Sequence, residues 1–270
     1  MIHLRSEGGL AALPAGPNTR TARPGRAPRA GAGLLLGLAL HLGLPVEADE
    51  QAPPRQEVLP VPGFKPAVVV RPAREGRRPV AVLLHSSADR PEWMCRLWAP
   101  AFRGRGWLLC PRGIFRADIP ERDRWTLGPL SKTKEEIQAA LAALEARYPG
   151  RISPGARLIA GFSKGAYQAA AIARQDPKAF PLVFAHEGGG RWSARAIKGF
   201  VKGGGRGLII GCGKPRCARA GRRSCAAARR AGLPCQLIFI TGLGHSCGAP
   251  FGERAASPLR RLLTGEKSWQ

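Results

Sequence analysis

An apolar run, Ala156 to Ala160, passes directly into Gly161-Phe162-Ser163-Lys164-Gly165 and then into an alanine-rich stretch ending near Arg174. A strand that turns this sharply into a helix leaves one side chain at the apex. It needs hydrogen-sized neighbours two residues to either side, which Gly161 and Gly165 supply. That single feature restricts the fold, because a strand–turn–helix of this kind belongs in a sheet whose strands alternate with helices. Ser163 then stands at the carboxyl edge of the sheet with a helix N-terminus beneath it. Main-chain N–H groups there, that of Lys164 first, can hold a developing oxyanion with help from the helix dipole.

The rest of the chain follows the same rhythm. Aliphatic runs at Ala67–Arg71, Val80–His85, Gly106–Cys110, Ala156–Ala160, Leu182–His186, Gly207–Gly211 and Gln236–Thr241 read as strands. Several are apolar on both faces, as strands covered by helices on both sides must be. Helices are expected at Glu92–Phe102, Lys134–Tyr148, Lys164–Arg174, Arg216–Ala231 and Ser257–Leu263. In the second of these, Thr133 and Glu136 have the spacing of a capping box, and Ile137, Leu141, Leu144 and Tyr148 keep one face apolar. The alternation predicts an α/β protein: a three-layer α/β/α sandwich with a mostly parallel central sheet.

A serine needs a base to become a nucleophile. His245, in Thr241-Gly242-Leu243-Gly244-His245-Ser246, follows the last expected strand and is the candidate. His85 ends an earlier strand and opens His85-Ser86-Ser87-Ala88-Asp89, where a second oxyanion donor is expected, the N–H of Ser87. With this strand-to-elbow context and the order of His85 loop, Ser163 and His245, the chain resembles the α/β-hydrolase fold superfamily, closest to its secreted esterase-like members, over roughly Ala67 to Leu263. The resemblance implies an acyl-serine hydrolase acting on an ester or related acyl bond. Two features depart from that pattern. Ser86 stands where the oxyanion loop usually has Gly, and Cys212-Gly213-Lys214-Pro215-Arg216, after the strand that should deliver the triad acid, contains no carboxylate.

Between Ser163 and His245 there are only two acids, Asp176 and Glu187. Asp176 sits in a Gln175-Asp176-Pro177-Lys178 turn on the far side of the sheet, whereas Glu187 directly follows a strand and emerges at the edge of Ser163. Glu187 is therefore the candidate that orients His245. The rival reading is an inactive scaffold of the same fold that binds an anionic surface or ligand. His186-Glu187-Gly188-Gly189-Gly190 mimics an HGGG oxyanion motif but comes after the nucleophile. Gly213-Lys214 lacks both the opening glycine and the Ser/Thr of a phosphate loop. No cofactor is expected.

The longest apolar run, Gly31 to Pro45, falls short of the roughly 20 residues that span a bilayer. Arg20, Arg23, Arg26 and Arg29 precede it and Val46-Glu47-Ala48 follows, so residues 1–48 read as a signal peptide with an N-terminal extension, cleaved after Ala48. Residues 49–66 read as a Pro-rich linker and 67–265 as the hydrolase domain. Export to the periplasm or beyond predicts disulfides among the seven cysteines, whose spacing matches no zinc pattern. Cys212–Cys247 is the favoured pair, because it would tether the His245 loop.

The formal charge is +25, and 34 of the 43 basic residues are arginines spread along the chain. With 6% aromatic residues and no nucleic-acid motif, this does not identify a nucleic-acid binder. It does predict adhesion to anionic envelope surfaces. The densest stretch, Lys214 to Arg230, carries seven cations and no acid beside the expected site. It reads either as a solvated helix face or as a surface for an anionic partner or acidic substrate. Pro111 to Ser131, with Trp125, reads as an insertion over the pocket.

Overall fold

A computed structural model describes residues 55–270; the expected signal peptide lies outside the described residues. In chain order the elements are β1 (Gln56–Leu59), β2 (Ala67–Val70), β3 (Val80–Leu84), α1 (Pro91–Phe102), β4 (Trp107–Cys110), β5 (Ile114–Phe115), β6 (Trp125–Thr126) and α2 (Leu130–Arg147). They continue with β7 (Leu158–Phe162), α3 (Lys164–Gln175), β8 (Leu182–His186), α4 (Ala194–Lys202), β9 (Gly207–Cys212), α5 (Pro215–Arg230), β10 (Cys235–Phe239) and α6 (Ala249–Thr264).

Eight strands form one sheet in the order β1-β2-β4-β3-β7-β8-β9-β10, while β5 and β6 pair separately. The β1–β2 and β2–β4 pairings are antiparallel. All the others in the large sheet are parallel. Side chains alternate between faces with the period of a strand. Val80, Val82, Leu84, Ile159, Val183, Leu208 and Ile210 join the core under α2, α3, α4 and α5. Ala81, Leu83, Leu158, Ala160, Phe184 and Ile209 join the core under α1 and α6. Both faces are thus covered, which accounts for strands that are apolar throughout, and the architecture is the three-layer sandwich that the alternation predicts.

Several local expectations need correction. The stretch expected to be linker contains β1, an edge strand concealed by proline-rich composition and exposing Val58. The capping box does not form. Gly128-Pro129 ends the preceding extended segment, so α2 starts at Leu130 and Thr133 and Glu136 fall inside it. Buried there, the Glu136 carboxylate accepts the Gly113 N–H at 2.8 Å, and burial raises its pKa. The final helix begins eight residues earlier than expected, because Pro250 sits in its first turn, where no N–H is needed.

Three disulfides join neighbouring elements: Cys95–Cys110 ties α1 to β4, Cys212–Cys217 closes the β9–α5 turn, and Cys225–Cys235 ties α5 to β10. The expected Cys212–Cys247 pair is therefore absent. Cys217, one helical turn into α5, lies next to the end of β9, and Cys247 keeps a free thiol whose pKa burial pushes up.

Candidate functional site

Ser163 occupies the turn between β7 and α3 with φ 52° and ψ −116°, a conformation that L-residues rarely adopt. Crowding explains the two glycines. A Cβ at Gly161 would overlap the backbone of Gly165, and one at Gly165 would overlap the carbonyls of Leu84 and His85. The turn is held by Ser163 N–H donating to His186 O at 2.9 Å and by Tyr167 N–H donating to Ser163 O at 3.1 Å. As the first residue of α3, Lys164 has a main-chain N–H that no residue of the helix can accept.

His245, in the loop between β10 and α6, brings Nε2 to 2.8 Å from Ser163 Oγ. Its Nδ1 faces Glu187 Oε2 at 3.3 Å. Glu187 is itself in the left-handed region, at φ 50°, and its N–H extends the sheet by donating to Gly211 O at 2.9 Å. Its second oxygen, Oε1, accepts the N–H groups of Gly213 at 2.6 Å and Lys214 at 2.9 Å. These two donors lie at the N-terminus of α5, where the helix dipole favours negative charge. The carboxylate that meets the His245 ring thus comes from the end of β8, not from the end of β9. Glutamate's extra methylene lets it cross to the amides of the neighbouring turn while its other oxygen meets the imidazole. The structure brings Ser163, His245 and Glu187 into one hydrogen-bonded chain and leaves Asp176 at the far end of α3, where it accepts the Ala179 N–H.

The carboxylate of Glu187 also lies within 4.8 Å of the Sγ atoms of Cys212 and Cys217. Those sulfurs are bonded to each other, so they offer no thiolate to a metal.

His85 does not meet Ser163. It is buried, which lowers its pKa, and whichever ring nitrogen carries the proton donates to a main-chain carbonyl, Ser86 O at 2.8 Å or Arg112 O at 2.9 Å. It therefore anchors the start of the loop that carries Ser87, which sits in an exposed turn before α1. Asp89 completes that turn: Oδ2 accepts the Ser86 hydroxyl at 3.0 Å and the Ser86 N–H at 3.3 Å.

Sequence reasoning missed three supporting contacts. Lys164 Nζ donates to Leu127 O at 2.5 Å and to Thr126 Oγ1 at 3.1 Å, tying the Ser163 turn to β6. Trp125, also in β6, exchanges two main-chain hydrogen bonds with Asp89, so the Pro111–Ser131 segment braces the Ser87 loop and the Ser163 turn together. Finally, His186 stacks on Phe251 with ring centroids 3.4 Å apart, and its Nε2–H donates to Ser246 O at 2.6 Å, fixing the residue next to His245. Burial lowers the His186 pKa to about 4, so at neutral pH it is an uncharged donor. Only the strand-end position of His186 hinted at this role.

No family model and no curated protein matches the chain. Solved structures do. TT1662 from Thermus thermophilus aligns with TM-score 0.56 and 17% identity over 77% of this chain and 98% of its own. Esterase PE8 aligns with TM-score 0.56 and 16% identity over 76% and 99%, and a ferulic acid esterase with 0.53 and 19% over 77% and 95%. At these identities the likeness is one of fold. The chain has the α/β-hydrolase fold.

Proposed function

We propose that the protein is a serine hydrolase that cleaves a carboxylic ester through an acyl-serine intermediate. The observation that carries this reading is the unbroken series from Glu187 through His245 to Ser163, with Ser163 held in a strained turn at a helix N-terminus. The esterase names among proteins of the same fold point the same way. In the reaction His245 Nε2 takes the hydroxyl proton as Ser163 Oγ bonds to the ester carbonyl carbon. Negative charge gathers on the carbonyl oxygen, facing the N–H groups of Lys164 and Ser87. Collapse expels the alcohol, which leaves with the proton from His245. Water then attacks the acyl-serine by the same steps, releasing the acid and restoring Ser163. The Glu187 carboxylate holds the His245 Nδ1–H, which leaves Nε2 free to take the Ser163 proton, and stabilises the imidazolium when it forms.

The leader-like residues 1–48 and the three disulfides support export, with Asp49 as the mature N-terminus. N-terminal sequencing of the secreted form checks this; a cytosolic protein beginning at Met1 with reduced thiols would refute it. The chemistry is tested by a fluorophosphonate probe and peptide mapping. Label on Ser163 is the expected result, and a folded sample that takes no label would leave only a scaffold.

A further inference from the structure

Beside the His245 ring, between the start of α5 and the side of α3, lies a cavity of about 770 Å³ bounded by Glu187 and His245 themselves. Its wall carries four cations, Arg174, Arg191, Lys214 and Arg216, together with Tyr167. No salt bridge neutralises any of the four among the described residues. The single carboxylate on this wall, Glu187, is committed to Gly213, Lys214 and His245. Arg174 lies over the Trp192 ring at 5.0 Å, which holds its guanidinium against the wall. The cations come from three separate places in the sequence, α3, the segment after β8 and the start of α5, so the local field is a product of the fold and not of the basic stretch alone.

We infer that this cleft binds an anionic group, a carboxylate, sulfate or phosphate, carried by the ester on which Ser163 acts. The inference rests on the hydrolase reading and adds the chemical class of substrate. An anion here sits within about a Debye length of several cations with protein on one side, where attraction is least screened. Tyr167, which is 65% exposed, offers a flat apolar surface beside the charges.

The test compares kcat/KM for esters that differ by one charge. Mono-4-nitrophenyl adipate against 4-nitrophenyl hexanoate puts the anion on the acyl side; 4-acetoxybenzoate against its methyl ester puts it on the alcohol side. In at least one pair the anionic ester should be preferred by about tenfold or more in 0.05 M salt, and less so in 0.5 M. Replacing Arg174, Arg191, Lys214 and Arg216 by Gln should bring that ratio to within about twofold of unity, and the double variant Lys214→Gln, Arg216→Gln part of the way. The control with the same change in net charge replaces Arg219, Arg222, Arg223 and Arg230, all exposed and none lining the cleft, and should keep the parent ratio. Equal rates for both members of each pair, or an equal fall in the control, would overturn the inference alone. A folded protein that cleaves none of the four esters would overturn the hydrolase reading and the inference with it.

Discussion

On the α5 side of His245 the wall holds four cations against one committed carboxylate. On the side of α1 and α6 a second cavity, about 710 Å³, runs from Asp89 and Cys247 down between the two helices. Its lining is largely Trp93, Met94, Leu97, Pro100 and Ala256, and its charged residues, Asp89, Arg96, Arg103 and Glu253, balance two against two. The chain is basic throughout, yet only one of these walls is. Net charge therefore says little about the site until the fold has sorted it: α1 and α6 bring acids alongside their arginines, whereas the turns after β8 and β9 spend their one acid on His245 and leave the cations unpartnered. The α5 wall is thus charged and the α1–α6 wall largely hydrocarbon.

The largest effect should come from His245, which lines the cationic cavity and lies two residues before Cys247 of the apolar one. His245→Ala should lower ester turnover by about 10³-fold or more, because Ser163 loses its base, and should do so equally for anionic and neutral esters. Steady-state rates on the matched pairs decide this; a variant with near-normal turnover would remove His245 as the base. Glu187→Gln should cost roughly 10² to 10⁴-fold by losing the charge that stabilises imidazolium. It also removes the only carboxylate of the cationic wall, so the ratio of anionic to neutral kcat/KM should hold or rise while both rates fall. Asp176→Asn, at the far end of α3, should change neither. Comparable small effects from Glu187→Gln and Asp176→Asn would mean that the site works without a triad acid.

His186 stands behind the loop that separates the two cavities, and its burial links that loop to pH. Its folded pKa of about 4 lies below the ordinary value of 6.5, so between these values the unfolded chain binds a proton that the folded chain does not. The stability this residue contributes is complete above about pH 6.5 and is lost as pH falls towards 4, by on the order of 3 kcal/mol. Urea midpoints at pH 7 and pH 4.5 measure the loss. His186→Gln should flatten that dependence, and an unchanged slope would show that other groups set it.

How much of this could be read from the chain follows from how local each determinant is. The Ser163 turn was legible because its requirements, an apolar run, two glycines and a helix, all fall within one short segment. Glu187 could be reached by elimination, since only two acids separate Ser163 from His245, although its reach to the amides of Gly213 and Lys214 is visible only in three dimensions. Disulfide pairing was not legible: Cys217 outcompetes Cys247 for Cys212 because a helix begins at Pro215 and turns Cys217 back onto β9. The Thr133–Glu136 pattern misled for a similar reason, as a backbone N–H from Gly113, distant in sequence, claims the carboxylate. The cationic wall draws on α3, the segment after β8 and the start of α5, so no window of sequence contains it.

The smallest effect tests the apolar side. Ala256 lines the groove from the second turn of α6, so Ala256→Trp should fill it without touching Ser163, His245 or Glu187. Each methylene withdrawn from water is worth about 0.8 kcal/mol, so excluding two of them should lower kcat/KM for a decanoate ester about tenfold. An acetate ester, too short to enter, should keep its rate. The preference for anionic over neutral esters of matched length should also stay where it was, because the charged wall lies across His245. Chain-length and charge series on the one variant separate the outcomes. If decanoate and acetate fell together, the substitution would have disturbed the catalytic loop. If the charge preference fell while chain-length dependence did not, the two walls would have to exchange roles.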